Sequence, residues 1–350
     1  MKSNHRWTSV LHHTNYGGCE KLALGFLKEI KSDLIVFHER SEIVNPMFNK
    51  ISNRKCFTNR VSIRIPSSIF KARALVKLEI CEDCRFILWH GRYSLFASIL
   101  ILYQRNAKFL VHIGTNVDEV KVTERISMKI LNRLLRKQIK FICVSAFNKE
   151  TFLAKFPYFD NRTYVIPNGI SPSQLDNQGT FSDFKYAMIS RFDNSKYQDL
   201  IIKAFINGSV KEKVLFIGDG ENLMKCRRIC EDSGHSQQFK FTGNLDEPFR
   251  VLNRDHLFIF AADEREGFGL VIYEAILSGL RVIASDIPAV RQVIKDERFL
   301  FSNNQESLLK VIKFAQVNEQ AHFDYMDSLN SRITTEYSLP LMHQRYLELW

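Results

Sequence analysis

The sequence predicts an α/β fold of two Rossmann-like, doubly wound domains. Short apolar runs alternate with segments of helical period along most of the chain, which calls for parallel sheets with helices on both faces. The alternation breaks once, at a polar, Pro- and Gly-containing stretch over 167–179, and then restarts. The length, 350 residues, exceeds one ordinary core and suits two.

In order, strands are expected at 7–12, 33–38, 85–90, 108–112, 140–144 and 163–166, each a short apolar run rich in β-formers. Helical patterns fill 19–30, 70–80, 93–103, 122–137 and 147–156, while 39–66 carries no readable period. Pro167-Asn168-Gly169, Ser171-Pro172-Ser173 and the polar residues to Gly179 read as an interdomain linker, 169–183. Beyond it, strands are expected at 184–190, 214–218, 240–242, 256–260 and 281–284, with helices at 197–206, 221–233, 270–278 and 306–317. The first domain is thus 1–168 and the second 184–336. Two such sheets leave a cleft between them, and ligands bind at the carboxyl ends of their strands.

Hydrophobic residues at 45% and charged residues at 25% describe a folded globular chain. The longest apolar run, 94–103, is half of what a membrane span needs, and the N-terminus lacks the apolar core of a signal peptide. A cytoplasmic protein is therefore expected. Seven scattered cysteines read as reduced thiols, and Cys81 and Cys84 form a lone CxxC without the second pair that a zinc site needs. The net charge of +11 is uneven: residues 1–175 hold 28 Lys/Arg against 13 Asp/Glu, and residues 176–350 hold 21 against 25. That asymmetry points the first half at an anionic partner. From Lys121 to Lys140 there are seven Lys/Arg and the single acid Glu124, with Val122, Ile126, Ile130 and Leu134 on one helical face. The face reads either as core beneath solvated charges or, with the charge asymmetry, as a surface that docks on an anionic membrane.

The segment FAADEREGFGLVIYEAILSGLRVIAS, 260–285, carries the most chemistry. A strand ends in an acidic, Gly-containing turn and a helix starts near Leu270. Gly267 and Gly269 let the backbone approach a ligand with its amides, and the helix N-terminus adds partial positive charge, which together make a diphosphate seat. Glu266 is expected just outside that seat. Glu274, one turn into the helix, can accept hydrogen bonds from vicinal hydroxyls such as those of a ribose.

Glu266 and Glu274 with seven residues between them resemble the E-x7-E motif of family-4 retaining glycosyltransferases, and other segments are similar to that family in the same order. These are TNYGGCEKLALGFL, LWHGRYSLFASIL, FLVHIGTNVDE, VSAFNKE, VIPNGI, ISRFDNSKYQDLIIKAF, FTGNLDEP and, in part, DIPAVRQVI. The resemblance implies a GT-B fold, with 337–350 as a final helix returning to the first domain, which binds the acceptor. It implies that Glu274 holds the donor ribose, that Glu266 contacts the donor sugar, and that Gly267, Phe268, Gly269 and Leu270 hold the diphosphate. Arg191 and Lys196 neutralise the diphosphate, Gly17 and Gly18 bring amides to it or to the acceptor, and Asn244 and Leu245 border the base. His112 is a sugar or acceptor contact, and His90 lines the acceptor side. Ser190 and Tyr197 depart from the pattern, which has Gly there, and Gln292 stands where a Glu is usual. No cofactor and no metal is implied. The donor is a UDP- or GDP-linked hexose or N-acetylhexosamine, and the acceptor a glycan or lipid-linked oligosaccharide, in bacterial surface polysaccharide or lipopolysaccharide assembly.

Three other readings compete. FIGDGENL, 216–223, begins like a dinucleotide fingerprint of a dehydrogenase but has Leu223 where the third Gly belongs. A sugar-nucleotide epimerase shares the two-domain fold, and E-x7-E argues against it. A basic nucleic-acid-binding protein would explain the charge, but no zinc-finger, RNP or KH signature is present, so no nucleic-acid partner is expected.

Overall fold

A computed structural model describes residues 7–11, 17–36, 54–56, 84–89, 98–99, 102–103, 105–170, 175 and 180–350. The expectations for His90, for the helix at 70–80, for most of 39–66 and 93–103, and for Cys81 fall outside them.

The chain forms two compact units, residues 1–168 with 342–350, and residues 169–341. In unit 1 the strands are β1 (Trp7–Leu11), β2 (Asp33–Val36), β3 (Arg54–Cys56), β4 (Arg85–Leu88), β5 (Lys108–Ile113), β6 (Ile139–Cys143) and β7 (Thr163–Val165). They form one sheet in the order β3-β2-β1-β4-β5-β6-β7, and every pairing is parallel. Helices α1 (Gly18–Ile30), α2 (Val122–Leu134) and α3 (Ala146–Lys155) follow β1, β5 and β6. Near-continuous burial along β1, β4, β5 and β6 is what a parallel sheet covered on both faces requires. Ser145 caps α3, its hydroxyl accepting from the Asn148 amide at 3.0 Å.

Unit 2 holds β8 (Phe184–Ile189), β9 (Lys213–Ile217), β10 (Phe239–Phe241), β11 (Leu257–Phe260), β12 (Arg281–Ser285) and β13 (Leu300–Phe301). They lie in the order β10-β9-β8-β11-β12-β13, again all parallel. Its helices are α4 (Gln198–Asn207), α5 (Leu223–Asp232), α6 (Leu270–Leu277), the short α7 (Pro288–Arg291), α8 (Gln305–Val317) and α9 (Glu319–Glu336). The last helix, α10 (Leu339–Glu348), carries the chain back into unit 1. There Tyr346 stacks on Trp89 with centroids 5.9 Å apart, and His343 Nδ1 meets Glu29 Oε2 at 2.6 Å.

Four features depart from the sequence reading. Strand β3 lies in the stretch without period, because Arg54-Lys55-Cys56 offers no apolar run. Strand β13 is two residues long, below what alternation can reveal. Helix α9 buries His322, Met326, Leu329 and Ile333 at helical spacing, but a His in that row hides the apolar period. On α2 the core side is Met128 and Leu131, while Val122, Ile126, Ile130 and Leu134 are exposed, so the reading of that row as core is corrected.

Candidate active site

Strand order reverses in unit 2 between the neighbours β8 and β11, and in such sheets ligands bind outside the carboxyl ends of the strands at that point. The loops leaving β8 and β11 are 190–197 and 261–269, and they are tied together. Lys196 and Ala262 form an antiparallel bridge, and the Asp263 amide donates to Ser195 O at 3.0 Å. Behind them the Ala262 amide donates to Ser285 Oγ (3.0 Å), Ser285 Oγ donates to Asn303 Oδ1 (2.6 Å), and Asn303 Nδ2 donates back to Ala262 O (3.0 Å). The sequence reading missed Ser285 and Asn303, whose small polar side chains after strands carry no motif.

Glu266 sits in the middle of this arrangement. Its Oε1 accepts from the amides of Phe268 (3.2 Å) and Gly269 (2.9 Å), and its Oε2 takes the Lys196 ammonium at 2.6 Å. Lys196 is also 5.0 Å above the Phe260 ring. Burial alone would raise the Glu266 carboxyl, but Lys196 and the two amides outweigh it and hold the pKa at about 2. Glu266, expected just outside the turn, instead folds its carboxylate onto the turn's own amides. The turn works because Gly269, with φ of 76°, caps α6 in a left-handed conformation that few L side chains adopt. Leu270 is the first residue of α6 rather than part of the turn. Phe268 is buried and stacks on Tyr273 at 4.4 Å, fixing the turn against the helix. Glu274 lies one helical turn beyond Leu270 and is buried.

The remaining expected donor residues of unit 2 lie on the same carboxyl edge. Arg191 follows β8, is largely exposed and pairs with Asp193 at 3.3 Å, so it is not part of the Lys196–Glu266 cluster. Asn244 and Leu245 follow β10, where the Gly218 amide donates to Gly243 O at 2.8 Å. Ser190, where the family pattern has Gly, accepts from Gln198 Nε2 through its hydroxyl at 2.9 Å, and Gln198 also donates to Arg191 O at 2.7 Å. The glycines of FIGDGENL are explained by packing. A Cβ on Gly218 would lie 2.0 Å from Ser190 O, so the backbone approach there is to β8's own loop.

In unit 1 the strand order reverses between β1 and β4. Gly17 caps α1 after β1 in extended backbone, with the Glu20 carboxylate so near that a Cβ would meet Oε2 at 2.5 Å; Gly18 starts the helix. His112, near the end of β5, is buried. Its Nε2 is 3.0 Å from Asn168 Oδ1, its Nδ1 is 4.0 Å from Cys19 Sγ, and its ring lies 5.5 Å from that of Trp89. Asn168, the last residue of the expected first domain, carries no signal of this contact in the sequence, because its partner lies 56 residues away.

Residues 176–325 match the family described as glycosyl transferases group 1. Among curated relatives, an uncharacterized glycosyltransferase of Methanocaldococcus jannaschii is 25% identical over 199 residues, 52% of this chain and 48% of that protein. The O-antigen biosynthesis glycosyltransferase WclY of Escherichia coli is 28% identical over 154 residues, 40% of this chain and 41% of that protein. The chain thus spans about half the length of the first curated relatives it matches. Among solved structures, Anabaena HepE in complex with UDP and glucose superposes with a TM-score of 0.78 at 15% identity, covering 98% of this chain and 99% of that one. The fold is accordingly GT-B, as the resemblance implied.

Proposed function

We propose that the protein is a glycosyltransferase that moves a hexose or N-acetylhexosamine from a UDP- or GDP-sugar to an acceptor hydroxyl, with retention at the anomeric carbon. The observation that carries this reading is the Lys196–Glu266 pair with the Phe268 and Gly269 amides, built at the strand-order reversal of a group 1 segment. A cation and two fixed N–H groups that hold the two oxygens of one carboxylate can stabilise charge that develops on a leaving diphosphate, without reorganising as the bond breaks. When donor binds, phosphate or sugar oxygens compete with the Glu266 carboxylate for these donors. Glu266 then turns to a sugar hydroxyl, and Arg191 closes its exposed guanidinium on the phosphates. The acceptor O–H bond breaks as the new glycosidic bond forms, and its proton passes to the departing phosphate.

Glu274 takes the ribose hydroxyls, and Asn244 and Leu245 border the base. Unit 1 serves the acceptor through the carboxyl edge of its own sheet, where Gly17, Gly18 and His112 lie. We propose that no metal is required, since Lys196 and Arg191 supply the positive charge. The name of the WclY relative and that of a lipopolysaccharide outer core galactosyltransferase of similar fold favour a surface-glycan or lipopolysaccharide acceptor.

The test is thermal shift with UDP, GDP and their sugars, followed by transfer assays with and without chelator. One nucleotide at a hundred times its Kd should add about 2.7 kcal/mol of stability. Glu274→Ala should weaken that nucleotide roughly 10–100-fold, because hydrogen bonds to a charged group are worth about 1.5–3 kcal/mol. Unchanged affinity in a folded Glu274→Ala protein refutes the ribose assignment, and activity lost in chelator and restored by manganese refutes metal independence.

A further inference from the structure

Helix α2 carries a feature that sugar transfer does not use. Val122, Ile126, Ile130 and Leu134 are 73%, 54%, 39% and 66% exposed and form one row, four residues apart. The helix is held by its other side, where Met128 and Leu131 are buried, with Leu135 just beyond. Four large aliphatic side chains in one unbroken exposed row mark an interaction surface. Exposed Arg125, Lys129 and Arg133 form a parallel row beside it, and Arg136 and Lys137 follow at the end of the helix. None of these five cations has an ion-pair partner among the described residues. The one acid of the helix, Glu124, lies well round from the apolar row. Arg133 and Arg136, together with Asn132, Tyr158, Asn161 and the buried Arg162, line a groove of about 580 Å³. Arg162 is fixed there, donating to Arg136 O at 3.2 Å and to Asn132 Oδ1. Burial, and after it the neighbouring Arg136, push the Arg162 guanidinium pKa down.

We infer that α2 docks unit 1 on an anionic lipid bilayer, inserting the row Val122, Ile126, Ile130 and Leu134 among the acyl chains while Arg133 and Arg136 hold lipid phosphates at the groove. The charge decides between occupants. A two-fold pairing with a second copy would set this cationic row against itself, whereas a bilayer supplies apolar depth and negative charge in one surface. An amphipathic helix lying in the interface needs both. The surplus of 15 positive charges in residues 1–175 adds longer-range attraction of the same sign. No helix of the described residues is long and apolar enough to cross a membrane. The inference stands apart from the glycosyltransferase reading and deepens it only by bringing unit 1 to where a lipid-linked acceptor resides.

The experiment is co-sedimentation of the full chain with phosphatidylcholine vesicles, with and without phosphatidylglycerol, at low and high salt. Binding should require phosphatidylglycerol and fall as salt rises. Arg133→Glu with Arg136→Glu should weaken it by roughly thirtyfold or more, since each Lys or Arg at an anionic surface is worth about a fivefold factor. Ile126→Glu with Ile130→Glu should abolish it at low salt, and because these side chains are exposed the melting temperature should hold. Nucleotide thermal shift on the same samples separates the two proposals, because a protein that binds nucleotide and ignores anionic vesicles overturns this one alone. It is equally overturned if the isoleucine variant binds like wild type, if neutral vesicles bind as well as anionic ones, or if the wild type is a dimer that the isoleucine variant turns into a monomer.

Discussion

At the scale of single residues, the charge on Glu266 is the controlling quantity of the candidate site. Its carboxylate is held by Lys196 and by two backbone amides, so its folded pKa of about 2 lies below the ordinary 4.5. A carboxyl whose pKa is depressed on folding contributes stability that is fully present above pH 4.5 and is lost as pH falls toward 2. Above pH 4.5 the Glu266 carboxyl is therefore ionised, and an acid limb of a pH–rate profile in that range must come from another group. Glu266→Gln keeps the shape and removes the charge, and it turns an amide N–H₂ or a weaker acceptor toward the Lys196 ammonium. Turnover should fall about 10²–10³-fold, the range found when one pre-organised electrostatic contact is lost. Lys196→Ala leaves a carboxylate without its cation and should cost roughly 3 kcal/mol of stability as well as turnover. Wild-type kcat in a correctly folded Glu266→Gln protein would show that the carboxylate only staples the empty turn.

At the scale of elements, the turn into α6 and the β8–β9 loops depend on two glycines for different reasons. Gly269 needs its left-handed φ of 76°, while an added Cβ meets the terminal methyl of Ile272 at 3.0 Å and Phe260 at 3.6 Å, side-chain contacts that a shift of a few tenths of an ångström relieves. Gly269→Ala should therefore cost about 1–2 kcal/mol, the backbone penalty alone, and should weaken nucleotide binding by misplacing an amide. Gly218 has φ of 134°, and its Cβ would strike backbone oxygen Ser190 O at 2.0 Å, with no side chain to yield. Gly218→Ala should destabilise unit 2 clearly more than Gly269→Ala. Paired chemical denaturation curves decide this, and equal midpoints would contradict the packing argument. The same contrast explains what the sequence made legible. Strand–turn–helix order, the GFG turn and the spacing of Glu266 and Glu274 are local, so their elements could be read with ends shifted by a residue or two. The side-chain direction that puts Glu266 into its own anion seat depends on Lys196, 70 residues away. The partner of His112 depends on Asn168, at the other end of the sheet in sequence. On α2 the apolar period was legible, but periodicity names two faces without saying which one the core takes; Met128 and Leu131 took it.

At the scale of the whole molecule, two units with separate cores give separate reporters. All three tryptophans, Trp7, Trp89 and Trp350, belong to unit 1, so intrinsic fluorescence follows that unit, whereas far-ultraviolet circular dichroism follows both. Each unit also buries histidine. In unit 1, burial lowers the pKa of His343 against the opposing pull of Glu29. In unit 2, burial lowers that of His256, and His322 falls from 6.5 to about 4, fully buried with Nε2 on Val282 O at 2.9 Å and its ring 3.9 Å from Phe299. A histidine that is harder to protonate when folded binds more protons in the unfolded chain, so stability rises with pH between the two pKa values. Unit 2 should then lose stability as pH falls from 6.5 to about 4, by up to about 3 kcal/mol from His322, and the loss continues below pH 4.5 as the Glu266 contribution fades in turn. His322→Gln preserves a donor for the Val282 carbonyl and removes the titration. In that variant the transition seen by circular dichroism should flatten across the window, while the tryptophan-reported transition of unit 1 keeps its own pH dependence through His343. If fluorescence and dichroism instead shift together in wild type and variant alike, the two units unfold as one, and the separation of their cores has no thermodynamic counterpart.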